Sequence, residues 1–157
     1  MERVLVGEFG VDSGQVMIGD PCYINSNWSD KEFQDIRIYR KKHDLKQTLQ
    51  FGVDFERYDE MIPGHMGKCI NQLLQEGIYI EVPRPADNSY SYHGACSSTI
   101  NGNFGVLSRE VETPNGPSQL GPLAIVSRTG HGDRGYEVYA YMKEGVVHKL
   151  EVIFIED

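Results

Sequence analysis

Residues 128–136 read R-T-G-H-G-D-R-G-Y and set Gly130, Gly132 and Gly135 at G-x-G-x-x-G spacing between two arginines, Arg128 and Arg134. That spacing serves dinucleotides when a strand precedes the glycines and a helix follows them, because the helix N-terminus receives the pyrophosphate. Here "LAIVS" supplies the strand, but "YEVYAYM" alternates with a period of two and predicts a second strand. A Rossmann site is therefore not expected. An anion-binding nest is: successive amides of a glycine-rich turn converge on an anion, and Arg128 and Arg134 add charge-assisted hydrogen bonds. His131 supplies a titratable group, Asp133 an acceptor and Tyr136 an aromatic face. The plainer alternative is a glycine-permitted β-connection with a solvated polar tip.

Two further segments hold polar side chains beside glycines at expected strand ends. "GDPCY" carries Asp20 and Tyr23, and "HGAC" carries His93. The expected ligand site joins these three residues to the 128–136 connection, which is read as linking two adjacent strands. Tyr90, Tyr92, Tyr139 and Tyr141 either stack a base-bearing ligand or pair across strands. Cys22, His93, Cys96 and His131 are of types that bind zinc. However, the chain has no C-x-x-C, and on a strand positions 93 and 96 face opposite ways. No metal and no cofactor is expected. A thiol nucleophile, Cys22 or Cys96 served by His131, has suitable residue types but no local signature.

The elements that must position these groups are mostly strands. "RVLVGEF" and "VDSGQVMIGD" suggest an N-terminal hairpin turning at Asp12-Ser13-Gly14. "GDPCYI" is expected to be extended or turned at Pro21. "WSDKEFQDIRIYRKK" is read two ways: Ser29 followed by Glu32 fits a capping box and favours a helix from about Asp30, while Ile36 and Ile38 around Arg37 alternate like a strand. "MGKCINQLLQEG" is the strongest helix, with Met66, Cys69, Ile70, Leu73 and Leu74 on one stripe and Gly77 at its end. "IYIEVP", "YSYHGACSSTI", "NFGVLS" and "LAIVS" read as strands, and "ETPNGPSQLGP" as a loop. "YEVYAYM" and "VVHKLEVIFIE" form a hairpin across Glu144-Gly145, whose second strand is apolar enough on both faces to be central. The expected fold is a single α+β domain over 1–157: one mostly antiparallel β-sheet, open or strongly curled, with one or two packed helices.

The 157 residues carry 23 acids, 15 Lys or Arg and a formal charge of −8. This disfavours nonspecific binding to DNA or anionic membranes. No apolar run approaches the about 18 residues of a membrane span, and no apolar leader follows the N-terminus. Three widely spaced cysteines make no disulfide framework. A cytoplasmic, acidic, soluble protein is expected, with neither membrane nor nucleic acid as partner.

"GEFGVDSGQVMIGDPCYI" and "SRTGHGDRGYEVYAYMKEGVVHKLEVIF" resemble small uncharacterised proteins of bacteria and their phages. They are similar to a family of unknown function with an early G-V-D-x-G motif and a late S-x-x-G-x-G-D-G-x-Y-x-V-Y motif. The two stretches cover less than a third of the chain, and Arg134 stands where the late motif has a glycine. The resemblance implies no activity. It implies that both terminal hairpins share one sheet with converging turns, and a phage source would add a host protein as partner. The functional expectation is a small binding protein for a compact anionic, nucleotide-like ligand. Its alternatives are a protein-interaction or inhibitor module and a metal- or thiol-dependent hydrolase, the enzyme being the least favoured.

Overall fold

The computed structural model describes residues 1–156. In chain order the elements are β1 (Glu2–Gly10), β2 (Gln15–Gly19), α1 (Cys22–Asn27), β3 (Ile38–Lys41), β4 (Asp44–Gln50), α2 (Ile70–Gln75), β5 (Tyr79–Glu81), α3 (Tyr92–Asn101), β6 (Phe104–Thr113), β7 (Gly116–Arg128), β8 (Gly135–Lys143) and β9 (Val146–Val152). The α+β class and the antiparallel pairing agree with the sequence reading. The single sheet does not: the strands form three separate three-stranded sheets, ordered β1-β8-β9, β2-β7-β6 and β4-β3-β5, and none is strongly curled. The chain divides into two compact units, Met1–Phe33 with Ala86–Asp157, and Gln34–Pro85. No helix among the described residues is long and apolar enough to cross a membrane.

The first unit holds two of the sheets, and the pairing that links them replaces the expected N-terminal hairpin. β1 runs beside β8 from Glu2↔Met142 to Gly10↔Gly135, and β2 runs beside β7 from Gln15↔Arg128 to Gly19↔Ala124. Both chains therefore leave one sheet and enter the other at the same place, through residues 11–14 and 129–134. Asp12-Ser13-Gly14 redirects the chain between sheets and does not fold it back. The 128–136 connection likewise joins strands of different sheets, not adjacent strands of one.

β6 and β7 extend the second sheet as a long hairpin. Thr113 pairs with Gly116 around Pro114 and Asn115, with Gly116 at φ 100°, so most of the stretch read as a loop is strand. β9 is an edge strand, not a central one; apolar residues on both of its faces misled the periodicity.

α3 covers the β2-β7-β6 sheet and corrects the expectation of a strand over "YSYHGACSSTI". Ser91 caps it, its side chain accepting from the Gly94 amide at 3.0 Å. Gly94, Ala95, Cys96, Ser97 and Thr99 are buried, and these small residues let the helix lie close. A Cβ on Gly94 would overlap the Ser89 carbonyl, and one on Gly105 would sit 2.6 Å from Ser98 Cβ. Tyr90, Ala95, Leu107, Leu123, Ala124 and Val126 form the core beneath it, flanked by Met17, Tyr23 and Trp28. "CYINSN" is helical because Pro21, at φ −63°, opens α1 and the Asp20 carboxylate accepts from the Cys22 amide at 3.0 Å. The helix expected from Asp30 is absent. The Ser29 amide bonds the Tyr90 carbonyl at 2.9 Å, so tertiary pairing takes the would-be cap residue.

In the second unit, β3, β4, β5 and α2 enclose Tyr39, Leu49, Phe55, Ile62, Ile70, Leu73 and Tyr79. α2 starts four residues later than its apolar stripe, because Met66 and Gly67 hold φ of 54° and 72°. Cys69 and Gln72 then form the capping box, and Gly77, at φ 69°, lies just past the helix end.

Two substitutions test this packing by chemical denaturation. Gly94→Ala forces the start of α3 off the Ser89 backbone and should cost about 3 kcal/mol. Tyr90 is fully buried and its hydroxyl reaches no hydrogen-bond partner among the described residues, so Tyr90→Phe should leave stability unchanged or raise it.

Candidate functional site

The crossing between the two sheets is held by a small set of hydrogen bonds. The Val11 amide donates to the Arg134 carbonyl at 2.9 Å, and the Thr129 amide donates to the Gly14 carbonyl at 3.1 Å, carrying the pairing through the bend. Thr129 is completely buried, and its hydroxyl donates to the Gly132 carbonyl at 2.9 Å. The Tyr136 hydroxyl lies 2.6 Å from the Thr129 carbonyl and 2.8 Å from that of Gly132, so its one proton is shared by two acceptors. Gly130 and Gly132 adopt φ of 64° and 82°, where a side chain is strained. A Cβ on Gly130 would also stand 2.7 Å from Ile155 Cγ1, under the C-terminal segment. The glycine spacing thus has a structural duty.

A cavity of about 560 Å³ opens beside this crossing on the β1-β8-β9 sheet. Tyr136, Tyr139 and Phe154 give it aromatic walls, the Phe154 ring standing edge-on to Tyr136 at 5.3 Å. Arg3, His131 and Arg134 supply its donors. The Arg3 guanidinium lies 3.4 Å from the Tyr139 ring centroid, and that of Arg134 lies 5.8 Å from the Tyr136 centroid. Glu8, Glu137 and Glu156 line it as well. Glu137 accepts from the Tyr139 hydroxyl, and this hydrogen bond is the main reason the Tyr139 pKa is raised. Arg3 and Glu8 were not singled out in the sequence, since only the β1–β8 register, Arg3↔Tyr141 and Glu8↔Glu137, brings them here.

The remaining expected site residues lie apart from this cavity. Arg128 lines a second hollow of about 660 Å³ with Asn103, Gly130 and Phe154, and its Nε donates to the Thr99 carbonyl at 2.5 Å. The two arginines flanking the glycines therefore serve different hollows. Asp133 is exposed, and its charge is a minor contributor to the raised Tyr92 pKa, behind the Cys96 hydrogen bond. Asp20 caps α1 and Tyr23 packs against the core beneath α3. Its hydrogen bond with Asp20 raises the Cys22 pKa, which works against a thiolate there, while Cys96 Sγ accepts from Gln15 Nε2 at 3.1 Å. No group of three or more His, Cys, Asp and Glu among the described residues could hold a metal ion.

His93, at the start of α3, belongs to a charged cluster. Its Nε2 lies 3.6 Å from the Asp87 carboxylate, which also receives Lys31 Nζ at 2.5 Å and the Ser89 amide at 2.8 Å. Burial pushes the Asp87 carboxyl up, but the Lys31 and Ser89 hydrogen bonds outweigh it and hold the pKa at about 2. A carboxyl depressed in the folded state stabilises above its unfolded pKa of about 3.9, and that contribution fades as pH falls towards the folded value.

Urea titrations against pH should accordingly show the wild type losing stability between about pH 4 and pH 2, with Asp87→Asn flattening that limb. Tyr136→Phe takes the hydroxyl donor from the Thr129 carbonyl and leaves that of Gly132 with the Thr129 hydroxyl alone, and should cost about 2 kcal/mol in the same assay. No protein-family model, no curated protein and no solved structure matches the chain.

Proposed function

We propose that the protein is a small binding protein that captures a compact anionic ligand in the cavity beside the sheet crossing. The observation that carries this reading is the convergence of Arg3, Arg134 and His131 on one hollow walled by Tyr136, Tyr139 and Phe154. An arginine spread over an aromatic ring is held in place before the ligand arrives, so less side-chain entropy is lost on binding. Its planar fork then meets a carboxylate or phosphate with two parallel hydrogen bonds. The aromatic walls favour a ligand with a flat or sugar-like body. Glu8 and Glu137 limit the charge the site tolerates and offer acceptors for hydroxyls. Together these features favour a nucleoside monophosphate or a sugar phosphate over a polyphosphate.

Thermal unfolding with orthophosphate, AMP and ribose 5-phosphate tests the proposal. A ligand at about 100 times its Kd adds about 2.7 kcal/mol, a rise of several degrees in Tm. AMP or ribose 5-phosphate should raise the Tm of the wild type and of Arg128→Ala, but not that of the Arg3→Ala/Arg134→Ala double variant. Equal shifts in the double variant and the wild type, or no shift in either, would overturn it.

A further inference from the structure

Two opposite charges line the cavity beside the crossing without meeting each other. Neither Arg134 nor Glu8 enters an ion pair or a side-chain hydrogen bond among the described residues; Arg134 only overlies the Tyr136 ring. Arg3 differs, since its guanidinium also lies 3.7 Å from the Glu151 carboxylate. Glu8 stands directly opposite Glu137 in the β1–β8 register, and like charges facing each other across an antiparallel pair repel. Glu137 receives the Tyr139 hydroxyl but no cation. The Glu8 carboxylate folds back over Gly135, where a Cβ would stand 2.1 Å from its Oε1. Gly135 is outside the left-handed region, so space for this carboxylate, and not backbone conformation, calls for glycine there.

The chemistry of this hollow selects its occupant. A ligand without a positive charge leaves Glu8 and Glu137 repelling each other and brings its own anion close to both. A metal ion is not favoured, because no group of three or more His, Cys, Asp and Glu among the described residues could hold one. An organic ammonium needs less: its N–H donors can reach the two carboxylates directly. The anion end of the same ligand falls to Arg134. Glu137 lies three residues beyond Arg134, about 10 Å along an extended chain, and the Glu8 carboxylate sits between them at Gly135. The two charges of the ligand therefore stand on opposite sides of a ring-sized body, which the aromatic walls of Tyr136, Tyr139 and Phe154 accommodate.

We infer that Glu8, with Glu137, is the specificity-determining residue of this cavity, taking the ammonium of a ligand whose phosphate is held by Arg134, so that the ligand class is an amino-sugar phosphate. The inference rests on the anion-binding reading of the cavity and names the ligand class within it.

Isothermal titration calorimetry tests it at slightly acid pH, where a sugar amine is protonated, with circular dichroism verifying that each variant is folded. The probes are glucosamine 6-phosphate, glucose 6-phosphate and N-acetylglucosamine 6-phosphate, whose amide carries no charge. A hydrogen bond to a charged group is worth about tenfold in affinity or more, so the wild type should bind glucosamine 6-phosphate about tenfold tighter than either of the others. Glu8→Gln should lose that preference while holding glucose 6-phosphate at least as well as the wild type does. Gly135→Ala keeps every charge but displaces the Glu8 carboxylate, and should lose the preference too. Arg134→Ala should weaken all three ligands by a similar factor. Equal affinity of the wild type for glucosamine and glucose 6-phosphates, or a preference that survives Glu8→Gln or Gly135→Ala, would overturn the inference and leave anion capture standing. A wild type that binds none of the three would overturn both. The comparison of ligands on the wild type needs no variant, so it decides even where a variant fails to fold.

Discussion

The first unit depends on one tyrosine hydroxyl. Two antiparallel chains pass together from one sheet to the next, with four residues in one crossing segment and six in the other. Unequal segments cannot stay in ladder register, so backbone carbonyls must lose their strand partners at the bend. Tyr136 sits at the start of β8, is buried, and turns its hydroxyl back onto the carbonyls of Thr129 and Gly132. Thr129 adds a second bond to Gly132. Satisfied in this way, the longer segment closes as a compact turn, and Gly130 passes beneath Ile155 where a side chain would not fit.

This bend also explains why charged and aromatic side chains collect beside it. Strands that leave a sheet at an angle open a hollow at their ends, and side chains from both enter it. Arg134 comes from the crossing, Tyr136 and Tyr139 from β8 and Arg3 from β1. Phe154 packs its ring on Tyr136 from the C-terminal segment. The walls are therefore fixed by the same contacts that hold the bend, while the arginines sit on ring faces.

Local patterning was legible where neighbours in sequence are neighbours in space. The β8–β9 hairpin across Glu144-Gly145, the α2 stripe of Ile70 and Leu73 and the strand at Tyr79 follow from periodicity and glycine placement. Patterning failed where a distant backbone took over. Ser29 had a capping box but bonds Tyr90 instead, and Tyr92–Asn101 alternates like a strand yet coils because Ser91 caps it and small residues let it lie against β6. Among the residues that line the cavity, Arg134, His131 and Tyr136 stand out in the sequence by type and spacing. Arg3 and Glu8 do not, because their placement is a matter of register across more than a hundred residues. Asp20, Tyr23 and His93 were read by their company with glycine, yet one caps a helix, one packs in a core and one joins an ion cluster.

The charge of the chain is unevenly divided. The first unit holds fifteen acids against seven lysines and arginines, while the second holds eight of each, so the formal charge of −8 belongs wholly to the first. An anion approaching the cavity meets a repulsive field at long range and two guanidinium groups at short range. Salt screens the first far more than the second, because contacts at hydrogen-bond distance lie well inside the Debye length of about 8 Å at physiological ionic strength. Selectivity in such a site comes from short, directional bonds and not from the bulk field. A multiply charged anion suffers the field in proportion to its charge but gains only what Arg3 and Arg134 can each deliver.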